Sequence, residues 1–349
     1  MKKLVLLINI IFIVTLVLVG CGDKAKSNNS KSANNSSASS ISADKHTATT
    51  VKIGYVDSGK SFPSGLLGIA QEKGYITNEL NKIGVKVELV PFVGAGPAIN
   101  EALASKSIDL GSLGDVPALL GKSAGINTEL IASGGLNTDA ALVVPADSKI
   151  TSIKELKGKR IATMKGSFMH RTLLEMLKAN GMTANDIQFI NMTAPDAETA
   201  IISKTVDATV NPAANAQRLV LKKYGKIILD STKNPEWKGA GGLIARTDFS
   251  KDNPGILVAI IKGLNEAKKF EDANPDEAKQ IWVKSGTTKE IFDLVYPDNK
   301  FGDDLQIGSE FTKRFDLVNK FLVDNKLSKS SVDINKWINK KYLEEAIKK

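Results

Sequence analysis

The sequence predicts an α/β protein of two lobes, each a mostly parallel sheet flanked by helices. Three observations carry that prediction. From residue 51 onward, short alternating apolar runs trade places with helix-period stretches, strand then helix. This rhythm completes one series by Ala132 and restarts at Ala140, so one unit closes before a second opens. A strand at Gly242–Ala245 then returns the chain to the first lobe, and mostly helical sequence follows it. A length of 349 residues suits two domain-sized units.

The elements follow in order. Val51–Val56 alternates as a strand, Ser64–Ile83 presents an apolar helix face, and Val85–Val90 alternates again. Pro97–Ala104 is a helix with Pro in its first turn. Ile108–Leu110 is a short strand, Pro117–Ala124 a helix and Glu129–Ala132 a strand. The second series opens with strand Ala140–Val144. A short helix at Ser152–Glu155 carries a capping-box pattern. Strand Arg160–Ala162, helix Met169–Asn180, strand Ile187–Phe189 and helix Ala194–Ser203 come next. Strand Ala208–Val210, helix Ala213–Lys223 and strand Lys226–Leu229 complete the series. Beyond Asn253, Phe311–Leu322 and Ile334–Ile347 are the clearest amphipathic stretches.

An address precedes the fold. Lys2 and Lys3 lead an apolar run, Leu4–Val19, which has the length and flanks of a secretory leader. It ends in Leu18-Val19-Gly20-Cys21, which resembles the lipobox of bacterial lipoproteins, with cleavage expected before Cys21 and lipid on its thiol. Two or three acyl chains give stable anchoring. Twelve of the 29 residues from 22 to 50 are Ser or Asn, too polar to offset ordering entropy, so a flexible linker is expected there. His46 lies in it with no expected role. The layout is therefore a leader at 1–20, a lipidated Cys and linker at 21–50, and a soluble body. Within the body, 51–140 begins lobe 1, 141–240 forms lobe 2, and 241–349 returns to lobe 1 with its packed C-terminal helices. The chain is expected on the extracytoplasmic face of the cell membrane.

Composition narrows the chemistry. One Cys excludes a disulfide framework and a Cys-rich metal site, and two His leave no set for a metal centre. The net charge is +9, of which residues 51–349 carry +5, and only five of the 47 basic residues are Arg. Scattered lysines without clustered arginines argue against nucleic acid and for a mild attraction to small anions. No Ser/His/Asp or paired-carboxylate set stands out: Ser167 and His170 lack an orienting acid.

In open α/β sheets, ligands bind past the carboxyl ends of strands, where helix N-termini offer unpaired N–H groups. Five such junctions are rich in Gly, Ser, Asp or Pro: Asp57–Ser64, Gly94–Pro97, Gly111–Pro117, Lys165–His170 and Val210–Ala213. They make Ser61, Phe62, Gly94 and Asn211 candidate ligand-facing positions, with Lys60 a possible source of positive charge.

Three stretches then carry a resemblance: GAGPAINEALASKSIDLGSLGDVPAL, SKITSIKELKGKRIATMKGSFMHRTLLEMLKANGM and DIQFINMTAPDAETAIISKTVDATV. Residues 51–325 resemble the periplasmic binding proteins for aliphatic sulfonates, taurine and nitrate, the solute receptors of ABC importers. A thiamine-pyrimidine branch is similar too. The resemblance implies a type II binding-protein fold, two lobes closing on a small anionic solute like a hinged clamp, with an ABC permease as partner. It implies a monomer without catalytic residues, cofactor or metal. Gly114 and Asp115 match the family's first-lobe Gly-Asp. Gly166, Ser167 and His170 match its second-lobe anion-contacting turn. There the Ser167 hydroxyl is expected to donate to sulfonate oxygens, and His170 to donate once more, gaining if protonated.

One departure bears on the ligand. Many family members carry a Trp-Asp-Pro-like turn where this chain reads Val210-Asn211-Pro212, so Asn stands in place of the acid. That removes a natural partner for a taurine-like ammonium and favours a sulfonate with an uncharged tail. Nitrate, bicarbonate or a thiamine-precursor heterocycle are the alternatives on the same fold. An enzyme on this fold would need pyridoxal phosphate and a cytoplasmic address. An envelope interaction protein with a non-binding crevice is the remaining alternative.

Overall fold

The computed structural model describes Ile41 and residues 45–348, which belong to one compact unit. The leader, Cys21 and most of the Ser/Asn-rich segment lie outside the described residues. The end of that segment is fastened down. Asn253 Oδ1 accepts the Thr47 and Ala48 N–H groups at 2.8 Å each, and Gly255 N–H donates to the Lys45 carbonyl at 3.1 Å. The expected linker therefore stops short of residue 50, because a buried Asn supplies the partner that the polar sequence needs.

The first sheet takes β1 (Thr50–Val56), β2 (Lys86–Phe92), β3 (Leu110–Gly114) and β4 (Thr128–Ser133), all pointing one way. Between them run α1 (Gly65–Glu72), α2 (Tyr75–Asn81), α3 (Ala95–Ala104) and α4 (Asp115–Ser123). The second sheet begins with β5 (Ala140–Pro145) and continues with β6 (Arg160–Thr163), α5 (Phe168–Ala179), β7 (Gln188–Asn191) and α6 (Ala194–Ile202). It ends with β8 (Ala208–Pro212), α7 (Ala213–Leu221) and β9 (Gly225–Asp230). The return strand β10 (Gly241–Arg246) then inserts between β3 and β4.

The strand orders are β2-β1-β3-β10-β4 and β7-β6-β8-β5-β9, and each sheet is mixed, with one opposed strand. The opposed strands, β5 and β10, are the two that the chain enters after crossing between lobes. A strand that starts where its predecessors end must run the other way. The crossings pair with each other, Thr138 and Gly239 exchanging N–H···O bonds of 3.0 and 2.8 Å. They form a two-stranded hinge.

Alternation along β5 builds the second lobe in two layers. Leu142 and Val144 face α5 with Met169, Leu173 and Met176, whereas Ala141 and Val143 face α6 and α7 with Ala197, Ile201 and Leu219. The rest of the chain is helical: α8 (Thr247–Asp252), α9 (Pro254–Ala273), α10 (Pro275–Val283), α11 (Lys289–Val295), α12 (Ser309–Asp324), α13 (Ile334–Trp337) and α14 (Lys341–Ile347). The buried side of α9, with Leu257, Ile260, Ile261 and Leu264, joins the first-lobe core.

Three local expectations need correction. The stretch Ser64–Ile83 is two helices, because Gly74 adopts φ 71° and turns the chain between α1 and α2. Ile334–Ile347 is also two, since Ile338 leaves helix to bridge Leu130 and cover the β4 edge. At Ser152 no reciprocal capping box forms. Glu155 instead accepts from the Ser152 hydroxyl at 2.9 Å and the Thr151 hydroxyl at 3.0 Å.

Candidate functional site

The strand-end junctions of both sheets meet across a crevice between the lobes. It has two chambers, of about 520 and 700 Å³, and Pro97 and Met164 line both. The first turn of α5 stands between them. Ser167, Phe168 and Met169 face the first chamber, whereas Lys165, Gly166, His170 and Arg171 face the second.

Ser167 is the N-cap of α5. Its hydroxyl donates to the Met164 carbonyl at 2.6 Å and accepts the His170 N–H at 3.3 Å. In this structure the hydroxyl's proton is engaged within the turn. What the turn offers instead is backbone. The N–H groups of Phe168 and Met169 precede the first intrahelical acceptor and find no other among the described residues. Two unpartnered donors and the positive end of a twelve-residue helix therefore face the first chamber.

His170 is 7% exposed and packs against Phe189 at 4.8 Å between centroids. Burial, and then the nearby Lys165 ammonium, push its pKa down to about 4. The ring is therefore neutral near pH 7 and donates from one nitrogen only, without the gain that protonation would bring.

Asp115 lines neither chamber. It is fully buried at the start of α4, where Gly114 rather than Asp115 occupies the N-cap position. Its N–H donates to the Ala240 carbonyl at 2.8 Å, and its carboxylate accepts the Ala240 N–H at 3.0 Å and the Val116 N–H at 2.7 Å. Arg171 Nη2 lies 3.7 Å away. Burial outweighs that guanidinium and raises the carboxyl's pKa. Asp115 thus ties the first lobe to the hinge.

Arg171, 1% exposed, completes the tie from the second lobe. It donates to Glu175 at 2.8 Å and to the carbonyls of Glu236 at 2.8 Å and Trp237 at 3.4 Å. Arg314 on α12 reaches the Lys238 carbonyl at 2.9 Å.

The other candidates divide. Gly114 lines the first chamber and Gly94 the second. Ser61 and Phe62 line neither. The Ser61 and Lys60 N–H groups donate to Asp57 Oδ1 at 2.9 and 3.0 Å, a local turn that leaves Ser61 exposed, and Phe62 packs onto the first-lobe core. Lys60 points elsewhere, its stem lying beside Gly286. Ser58, Pro63 and Ser64 take the lining positions instead. Asn211 is 1% exposed on β8 opposite Ala141, lines neither chamber, and leaves both side-chain polar atoms unpartnered.

The sequence reading missed Arg218 and Glu198. Both line the first chamber, and Arg218 Nη1 donates to the two Glu198 oxygens at 2.9 and 3.1 Å. They come from α7 and α6, so no short spacing advertises the pair. Among the described residues no three metal-ligating side chains converge, and no helix is long and apolar enough to cross a membrane.

Comparisons with known proteins match this geometry. The chain is 30% identical to the "Putative aliphatic sulfonates-binding protein" of Bacillus subtilis (strain 168), over 99% of this chain and 97% of that one. It is 32% identical to the taurine-binding periplasmic protein of Escherichia coli (strain K12), over 54% of this chain and 58% of that one. The crystal structure of the periplasmic sulfonate-binding protein SsuA from Methylobacillus flagellatus KT superposes with a TM-score of 0.72. It has 27% identity and covers 86% of this chain and 94% of its own. A family model, NMT1/THI5 like, matches residues 65–278, from the start of α1 to α10. The family model spans more than half of the chain, the two mixed sheets match the fold of the superposed structure, and the chain belongs to the NMT1/THI5-like family.

Proposed function

We propose that the protein is an extracytoplasmic solute receptor that holds a small organic sulfonate in the inter-lobe crevice and delivers it to an ABC permease, without turnover. One observation carries the reading: the first turn of α5 presents unpartnered N–H groups of Phe168 and Met169 into a crevice that two hinged lobes share. A sulfonate has three oxygens to satisfy, and a preformed pair of donors at a helix start suits it. Lys165 adds positive charge in the adjoining chamber, whereas the Arg218 charge is offset by Glu198. Names borne by the relatives support the sulfonate and the extracytoplasmic site. In this reading residues 1–20 are a leader, Cys21 carries the lipid, and the receptor acts as a monomer.

The test is thermal shift of the purified protein against alkanesulfonates, sulfate, nitrate, bicarbonate and a thiamine-precursor pyrimidine. A true ligand at 100 times its Kd adds about 2.7 kcal/mol. A rise with an alkanesulfonate supports the receptor role and the ligand class. A rise confined to nitrate or the heterocycle keeps the role and replaces the ligand. No rise with any of them overturns the reading in favour of an envelope interaction protein.

A further inference from the structure

The second crossing between the lobes changes hands at one peptide. Before it, α5 holds the chain: Arg171 donates to the carbonyls of Glu236, Trp237 and Lys238, and Thr172 Oγ1 donates to that of Trp237 at 2.7 Å. Lys238 is shared, since Arg314 on α12 also reaches its carbonyl. From Ala240 onward the first lobe takes over. Asp115 and Ala240 exchange bonds of 2.8 and 3.0 Å, and Gly241 pairs with Gly134 and Gly135 at 2.9 Å each. The change of holder falls at Gly239–Ala240, which makes that peptide the pivot.

Phe168 bears on the pivot from the second lobe. Its half-buried ring packs against the cores of both lobes and lines the first chamber. Gly239 is buried beneath it. A Cβ at Gly239 would stand 2.8 Å from Phe168 Cδ2, 2.9 Å from Cγ and 3.3 Å from Cβ. Gly239 is not among the left-handed glycines, so the ring and not a turn excludes a side chain there. The N–H of the same Phe168 is one of the two unpartnered donors at the start of α5. Close-packed contacts do not deform smoothly, so a shift of that main chain is passed to Gly239.

We propose that Phe168 is a positioning residue through which the solute sets the angle between the lobes: its N–H holds the solute, and its ring bears on Gly239 beside the pivot. This inference rests on the receptor reading.

A double-mutant cycle in the intact protein tests it, with 1-butanesulfonate, nitrate, bicarbonate and a thiamine-precursor pyrimidine titrated by calorimetry. The solute that the parent binds is carried to Gly239→Ala, Phe168→Ala and the double variant, all of which keep the N–H at 168. Gly239→Ala alone should weaken binding about tenfold, because the displaced ring drags the first turn of α5. With the ring gone in Phe168→Ala, adding Gly239→Ala should change affinity less than about twofold. Small-angle X-ray scattering reads the lobe angle: saturating solute should change the radius of gyration of the parent, and change that of Phe168→Leu less. That variant carries the test if Gly239→Ala melts too low. Losses of affinity that simply add, coupling seen in unfolding free energy but not in affinity, or an equal change of radius in Phe168→Leu would make the contact packing only, and the receptor reading would stand. If the parent binds none of the four solutes, the receptor reading falls and this inference with it.

Discussion

Ser167 and His170 show how one turn of helix assigns different work to neighbouring side chains. Ser167 closes the end of α5, so Ser167→Ala should cost about 1 kcal/mol of stability, while Ser167→Gly should cost only a few tenths. Denaturant titration of the two variants separates a capping role from a ligand contact, which would make both equally weak binders. His170 carries a pH signature. In the unfolded chain its ring takes a proton near 6.5, but in the fold only near 4. Protons therefore favour the unfolded state between those values, and stability is full above pH 6.5 and declines as pH falls. The loss attributable to this ring approaches about 3 kcal/mol by pH 4. His170→Asn should flatten that part of the stability–pH curve relative to the parent protein. At this scale the sequence is least legible. An acid at a helix start reads the same whether it caps, binds a ligand or clasps a hinge, and only the burial of Asp115 against Ala240 distinguishes them. Glu198 and Arg218 are 20 residues apart on separate helices, so their pairing is a product of the fold.

Among elements, the strands were the most legible, because alternation survives burial on one or both faces. The two helix breaks were not. Gly74 sits inside an apolar period that continues past it, and an isolated Gly is tolerated in helices often enough to pass unread. Its left-handed backbone is diagnostic once seen. Gly74→Ala should lower stability by about 1–2 kcal/mol, the cost of a Cβ in that conformation. A change under about 0.3 kcal/mol in a urea melt would mean that the turn relaxes into continuous helix. Ile338 was hidden for a different reason. The amphipathic spacing from Ile334 to Ile347 is genuine, but the edge of β4 competes for the backbone at Ile338 and Asn339 and wins.

For the molecule as a whole, the two-lobe plan was visible because the strand–helix rhythm stops and restarts, and the strand-end junctions did converge on the crevice. The chambers were not visible, since they depend on which face of α5 each lobe meets. The hinge tie was not visible either. Arg171 is charged, 1% exposed, and surrounded by two carboxylates and main-chain carbonyls from the crossing strand. Arg171→Met would leave Asp115 and Glu175 buried without their cation, and should cost about 3–5 kcal/mol. Burial already raises Glu175 to about 7 despite Arg171, so the variant should push it higher. Chemical denaturation measures the first effect and carboxyl NMR titration the second.

The fastening of residues 45–48 to Asn253 has a mechanical consequence. Whatever precedes Lys45 joins the body at the start of α9, on the first lobe. A pull along the N-terminal segment is borne by that lobe alone, at a point where three hydrogen bonds to one side-chain oxygen share the load. The second lobe joins the first through the paired crossings at Thr138 and Gly239 and the Asp115–Arg171 contact, away from that point. A force applied ahead of Lys45 is therefore directed into the first lobe and away from the crevice.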